Sequence, residues 1–324
     1  MDIRNLTLSS IKSFYKDIKT SRLQAEMLSR LESAYSNYQE PSPIFILASP
    51  RTGSTLFYQM MIKYFSLDYF SNFIDHNFSK YPLIGAQLQK EFAGFSIEDD
   101  NERFINSYGT TNGDMGPSEA TKVFANWFFH SHPSEIESAH FISDEAKNHM
   151  VKTIGNLYGL TQKHLVSKNA WNCFRVEGLM EAFPQARFIW LRRDIISSSY
   201  STLLARMKSG DPTVVWNSCS PRNMQEIKKL PYWEQVVEQQ IWTNQRVNES
   251  LDNPKILSLE IWYEDLIFDP KKTMDKVSRF IQEDIHIDYI QQNTNMFQKV
   301  RKYDDRDYLK IRQYCEANYA KLCR

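Results

Sequence analysis

The segment from Ile44 to Leu56 constrains this chain more than any other. Four apolar residues, Ile44, Phe45, Ile46 and Leu47, run into Ala48, Ser49, Pro50, Arg51, Thr52 and Gly53, and Ser54, Thr55 and Leu56 open an amphipathic pattern. The run is too short for a helix and is bounded by turn residues, so it predicts a buried strand over 44–48, a tight turn and a helix over 54–65. A helix that starts on such a turn presents unpaired backbone N–H groups and the positive end of its dipole, which makes it a site for an anion. Gly53 would let the backbone approach the anion closely, Ser54 and Thr55 add hydroxyl donors, and Arg51 adds a fixed positive fork. The segment is not a Walker A loop. That pattern needs a Gly, four residues and then Gly-Lys-Ser/Thr, whereas Ala48 stands in place of the first Gly and Ser54 in place of the Lys.

The rest of the chain repeats the alternation. Short apolar runs at 44–48, 164–167, 187–191 and 255–261, with a shorter one at 69–73, read as strands. Helical patterns follow at 54–65, 172–183, 195–207, 233–248 and 270–280. Strands buried on both faces and separated by helices predict a three-layer α/β/α domain around a central parallel sheet, of the P-loop-NTPase-like kind. Residues 8–38 carry a helical repeat that ends at Pro41 and Pro43. The expected division is therefore a helical N-terminal extension over 1–40 and one main domain over 41–324. Two stretches, 107–117 and 208–231, read as long loops of the kind used as lids or simply as surface excursions.

Charge says where an anion site can be. The 324 residues hold 39 basic and 39 acidic side chains, so there is no global field for nucleic acid or an anionic membrane, and any anion site must be local. Between Lys163 and Arg193 lie six basic residues (Lys163, Lys168, Arg175, Arg187, Arg192, Arg193) against Glu177 and Glu181. Placed at strand ends, such a patch would suit a polyanionic nucleotide. Four scattered cysteines, Cys173, Cys219, Cys315 and Cys323, fit free thiols in a reducing compartment. His130, His132 and His140 lack further ligands at a typical spacing, so no metal is expected. No apolar run approaches the ~20 residues of a membrane span, and the expectation is a cytoplasmic protein.

The turn from Ser49 to Thr55, following an apolar strand, resembles the 5′-phosphosulfate loop of PAPS-dependent sulfotransferases. The resemblance covers residues 43–283 in islands. It implies that Arg51, beside Pro50, meets the bridge to the transferring sulfuryl group, and that Thr52, Gly53, Ser54 and Thr55 wrap the 5′-phosphate. A second island, Phe183 to Asp194, is similar to the family stretch in which an Arg is followed eight residues later by a Ser. Arg193 and Ser201 match, with Arg192 and Ser198 as rivals; Ile195 stands where many members have Pro. By this resemblance Arg193 and Ser201 hold the 3′-phosphate that distinguishes PAPS from ATP. A third island, Tyr263, Glu264, Asp265 and Leu266 with Asp269 and Pro270, resembles the family's late-strand motif, and Tyr263 and Asp265 are expected to fix architecture. Arg301 could close over the 3′-phosphate. The segment Val214 to Ser218 is faintly similar to bacterial carbohydrate sulfotransferases of the trehalose-modifying type.

The implied reaction is sulfuryl transfer from PAPS to a hydroxyl, less readily an amine, of a carbohydrate or other small-molecule metabolite, releasing PAP. Arginines and backbone N–H groups supply the positive field, so the scheme requires no metal. The base that takes the acceptor proton is left among His76, Asp75 and Glu119. The competing readings are a kinase-like P-loop transferase using ATP, disfavoured by the missing Lys, and a non-catalytic nucleotide-binding relative.

Overall fold

The computed structural model describes residues 22–92, 106–107, 110–129, 139–285 and 305–323. In chain order these form helix α1 (Arg22–Ser33), strand β1 (Ile44–Leu47), helices α2 (Ser54–Tyr64), α3 (Asn72–Asn77) and α4 (Pro82–Phe92), and short strands β2 (Asn106–Ser107) and β3 (Thr110–Thr111). Next come α5 (Thr121–Phe124), α6 (Asp144–Thr161), β4 (Val166–Lys168), a 3₁₀ turn over Ala170–Phe174, α7 (Val176–Ala182) and β5 (Arg187–Arg192). The chain continues through α8 (Ile195–Ser209), α9 (Met224–Ile227), α10 (Tyr232–Leu251), β6 (Leu257–Trp262), α11 (Tyr263–Phe268), α12 (Pro270–Ile281) and α13 (Arg306–Tyr319).

The four strands expected from the long apolar runs form one parallel sheet in the order β4-β1-β5-β6. Ile44 pairs with Val166 on one side and Arg187 on the other, and Arg187 pairs in turn with Leu257. Alternation within each strand builds two separate cores. Phe45, Leu47, Phe188 and Trp190 face one side and pack with Ile154, Leu157, Leu179 and Val247 of the helices there. Ile44, Ile46, Ile189 and Leu191 face the other and pack with Phe57, Met61, Met274 and Val277. A strand covered on both faces tends to a near-continuous apolar sequence, which is why β1 reads as an unbroken run. A third cluster, Ile196, Leu203, Val237, Ile241 and Ile311, joins α8, α10 and α13.

Because β4 and β5 lie on opposite sides of β1, the chain reverses its winding direction there. The crevice at the carboxyl ends of strands around such a reversal is where open α/β sheets bind ligands, and the Arg51 turn leaves β1 at that point.

Some expectations change. Residues 69–73 make no strand: isolated bridges join Asp68 to Leu165 and Ser71 to Pro117, and α3 starts at Asn72 because Ser71 Oγ accepts from Ile74 N at 3.2 Å. The N-terminal helix ends at Ser33, and the chain beyond runs across α6. There Asn37 Nδ2 donates to Gly159 O at 2.8 Å, and a Cβ on Gly159 would sit 1.7 Å from the Asn37 carbonyl oxygen. Residues 1–21 lie outside the described residues.

Strand direction also divides the basic patch. Arg187 begins β5, at the end of the sheet opposite the Arg51 turn, where it donates to Ser42 Oγ and Gln282 Oε1. Lys163 precedes β4 at that same end. Arg175 is fully buried, its guanidinium 4.7 Å from the Phe128 ring centre and 5.9 Å from that of Phe124. None of its side-chain nitrogens has a hydrogen-bond partner, and burial alone pulls its pKa down to about 9. Only Lys168, Arg192 and Arg193 reach the carboxyl end of the sheet, since linear spacing carries no information about which end of a strand a residue occupies.

Candidate active site

The turn after β1 folds around its own small residues. Thr52 is buried, and its Oγ1 donates back to Ser49 O at 3.0 Å, leaving its backbone as the part that a ligand could meet. Arg51 and Gly53 both hold left-handed backbone, at φ 62° and 84°. Such angles cost a side-chain-bearing residue of order 1 kcal/mol and cost glycine little. Gly53 also has no room for a side chain: a Cβ there would lie 2.3 Å from Cε2 of Tyr263. Gly53 caps α2, an eleven-residue helix, and Ser54 and Thr55 form its first turn at a partly exposed surface.

A second group converges on the turn from β5 and α8. Arg193 NH1 donates to Arg51 O at 2.9 Å, and its guanidinium lies 4.6 Å from the centre of the Tyr263 ring. The Tyr263 ring thus contacts both Gly53 and Arg193. Its hydroxyl pKa is raised, chiefly by burial and partly opposed by Arg193. Arg51 Nε donates to Ser201 Oγ at 3.2 Å, across 150 residues of sequence. The structure thus brings Pro50, Arg51, Thr52, Gly53, Ser54, Thr55, Arg193 and Ser201 together.

The two rivals are engaged elsewhere. Ser198 is buried, its hydroxyl bonded to Asp194 O and Ile195 O within its own helix. Arg192 lies between the Trp190 and Trp262 rings, at 4.6 and 4.4 Å, and pairs with Glu260. Arg301 falls outside the described residues, as do His130 and His132.

On the other flank of the turn, β4 ends in Lys168. Its side chain is 8% exposed, ion-paired to Glu119, and 3.5 Å from Thr55 Oγ1. Glu119 is delivered by a tightly held segment. Ser118 N donates to Phe70 O, Asn169 Nδ2 donates to Glu119 O at 2.9 Å, and the Tyr58 hydroxyl lies 3.3 Å from Ser118 O. Ala120 then takes a left-handed φ of 52°, an observed strain directly beside Glu119. The other two base candidates make no hydrogen bond or ion pair with this group among the described residues. Asp75 is buried, and its Oδ1 accepts from Lys122 N and Val123 N at 2.9 and 3.1 Å, so it caps α5. His76 stands exposed on α3. Asp75 instead fixes the short helix that follows Glu119.

Lys168 was not singled out by the sequence as a catalytic or cofactor residue; its signals were its place at the end of an apolar run and its membership of the basic patch. Trp216, in the segment that looked carbohydrate-related, covers the buried Arg206 at 4.5 Å and donates to Cys219 O. Among the described residues no three His, Cys, Asp or Glu side chains gather as metal ligands, and no helix is long and apolar enough to cross a membrane.

The arrangement offers helix-terminal N–H groups, hydroxyls and two arginines on one side, and a carboxylate held by a lysine on the other. Arg193 Nε is buried without a protein partner, as suits a guanidinium shaped to take an anion. These are the means to hold a polyanion and to remove a proton from a second molecule beside it.

The profile of the Sulfotransferase family matches residues 43–286. No curated protein sequence matches the chain. Among solved structures, the sulfotransferase STF1 from Mycobacterium tuberculosis H37Rv is similar at 15% identity and a TM-score of 0.53, over 95% of this chain and 84% of that one. The sulfotransferase STF9 from Mycobacterium avium aligns at 12% identity and a TM-score of 0.45, over 95% and 76% of the two chains. The sulfotransferase domain from the curacin biosynthetic pathway aligns at 17% identity and a TM-score of 0.42, over 86% and 98%. The first of these likenesses agrees with the α/β fold described above.

Proposed function

We propose that this chain, which belongs to the sulfotransferase family, transfers a sulfuryl group from PAPS to a hydroxyl of a carbohydrate or small-molecule acceptor and releases PAP. The observation that carries the reading is the meeting of the Arg51 turn with Arg193 and Ser201 on one flank and with Lys168 and Glu119 on the other. The donor set fits a nucleotide with phosphates at both ends of its ribose: a glycine cradle closed by Tyr263, two guanidinium groups, and hydroxyls at a helix N-terminus.

PAPS, when bound, supplies a sulfuryl group on a good leaving group. The backbone of Thr52 and Gly53 and the hydroxyls of Ser54 and Thr55 would hold the 5′-phosphate. Arg193 and Ser201 would hold the 3′-phosphate, with Arg51 spanning from the turn toward Ser201. Glu119 would take the acceptor's proton. Lys168 aims that carboxylate, and it places a positive charge beside Thr55 where negative charge must be balanced during transfer. Asp75 acts through the backbone, as a positioning residue. All four cysteines are free thiols, which supports a reducing, cytoplasmic setting.

The test is a screen of hydroxylated and amine-bearing acceptors with radiolabelled PAPS. Label should appear on an acceptor hydroxyl in step with PAP release. A protein that binds PAP but labels no acceptor would be a nucleotide-binding relative without this activity.

A further inference from the structure

Beneath the Arg51 turn lies α10, and one side chain of that helix touches both parts of the site. Gln240 is fully buried. Its Nε2 donates to Pro50 O at 2.8 Å and to Thr202 Oγ1 at 3.0 Å. Pro50 immediately precedes Arg51, and Thr202 immediately follows Ser201. The Thr202 hydroxyl donates onward to Ser198 O at 2.8 Å, so its oxygen is an acceptor for Gln240. Both amide hydrogens of Gln240 are thereby used, and the opposite amide orientation would set oxygen against oxygen at Pro50. The amide oxygen, by contrast, is buried without a partner. Packing stability alone disfavours a glutamine that leaves its carbonyl unpaired. The arrangement makes sense if what matters is delivering two N–H bonds to these two acceptors.

We infer that Gln240 is a positioning residue that sets the spacing between the two phosphate-binding ends of the site and the direction of the Arg51 amide. The inference rests on the nucleotide-binding reading above. A peptide unit is planar and trans, so its C=O and N–H point in opposite directions. By holding the Pro50 carbonyl toward α10, Gln240 turns the Arg51 N–H away from α10. The same bond pair stabilises the left-handed φ of Arg51, which an unsupported residue would relax. Through Thr202 the same amide fixes the turn of α8 that carries Ser201. Asn244, one helical turn further along α10, adds a weaker contact to Ser49 Oγ at 3.4 Å. The side-chain hydrogen bonds of Gln240 go to Pro50 and Thr202, whereas Lys168 and Glu119 pair with each other, so its effect should fall on the nucleotide and not on the acceptor.

The experiment compares PAP affinity by calorimetry, and KM for PAPS and for acceptor, in the full chain and in Gln240→Met and Gln240→Glu. Met keeps the length and removes the donors; Glu places an acceptor against two acceptors. Gln240→Met should weaken PAP binding about tenfold, the scale of one net hydrogen bond, and raise KM for PAPS by a similar factor. Gln240→Glu should be weaker still, and KM for acceptor should not move. Thr202→Val, which removes only one of the two acceptors, should weaken PAP about threefold, and adding it to Gln240→Met should cost nothing further, because both act through one link. If Gln240→Met proves too unstable to study, Thr202→Val decides: unchanged PAP affinity there overturns the inference. Wild-type affinity in a folded Gln240→Met also overturns it, while a wild-type protein that does not bind PAP would overturn the nucleotide reading itself.

Discussion

Replacing Gly53 by Ala should damage this protein in two separable ways. The residue sits at φ 84°, ψ 14°, where a β-carbon costs about 1–2 kcal/mol relative to glycine. That carbon would also lie 2.3 and 2.4 Å from Cε2 and Cδ2 of Tyr263, contacts that real structures do not tolerate. Tyr263 must move, and overpacking of a buried ring costs roughly 1–3 kcal/mol. The total is about 2–5 kcal/mol, and as the ring moves it shifts the Arg193 guanidinium packed against it. Urea unfolding of the single and double variants separates the parts. In a Tyr263→Ala background the ring is gone, so Gly53→Ala should cost only the backbone share of about 1–2 kcal/mol. An equal cost of Gly53→Ala in both backgrounds would refute the packing argument. A cost near zero in the Tyr263→Ala background would refute the backbone argument.

Other perturbations test other parts of the account. Glu119→Gln should lower kcat by about 10²- to 10⁴-fold, the usual range for a lost general base, while PAP affinity measured by calorimetry stays at the wild-type value; normal turnover would place the base elsewhere. Arg175→Met should leave stability unchanged or raise it in thermal melts, because the guanidinium is buried among Phe rings without a hydrogen bond; a large loss would mean that it has a partner inside the fold. Glu32 gives a pH signature. Its carboxylate accepts from Leu83 N and Ile84 N, yet burial dominates and raises its pKa from 4.5 to about 7. A folded-state pKa above the unfolded one means that the folded chain holds the proton more tightly, so the contribution is present below about pH 4.5 and is lost as pH rises through about 7. Stability of the wild type relative to Glu32→Gln should therefore fall between pH 5 and pH 8, by at most about 3 kcal/mol; a difference that rises with pH would contradict the assignment.

The central sheet was legible because β1 and β5 are covered on both faces, and such strands read as nearly unbroken apolar runs. The turn after β1 was legible for a related reason: a strand end, a glycine and a helix start are consecutive in the chain. Arg193 and Ser201 needed only one strand-to-helix junction between them. What could not be read depended on distant partners. Asp75 and Glu119 look alike as acids near the site, and only the capping of Lys122 N and Val123 N by Asp75 tells them apart. The basic patch looked continuous because sequence does not show that Arg187 and Arg193 lie at opposite ends of β5. The stretch at 69–73 reads as a short apolar strand, but Ser71 caps a helix there. Gln240 carried no signal at all, since a glutamine in an amphipathic helix is ordinary until the carbonyl it meets, 190 positions earlier in the chain, is known.

The most direct measurement is calorimetric titration of the wild-type protein and of Arg193→Ala with PAP and with 5′-AMP, which differ only in the 3′-phosphate. Arg193 and Ser201 should make PAP bind about 10²- to 10³-fold tighter than AMP, the worth of one to two charge-assisted hydrogen bonds, and Arg193→Ala should erase most of that difference. Equal affinities for the two nucleotides in the wild type, or a preference untouched by removing Arg193, would contradict the account.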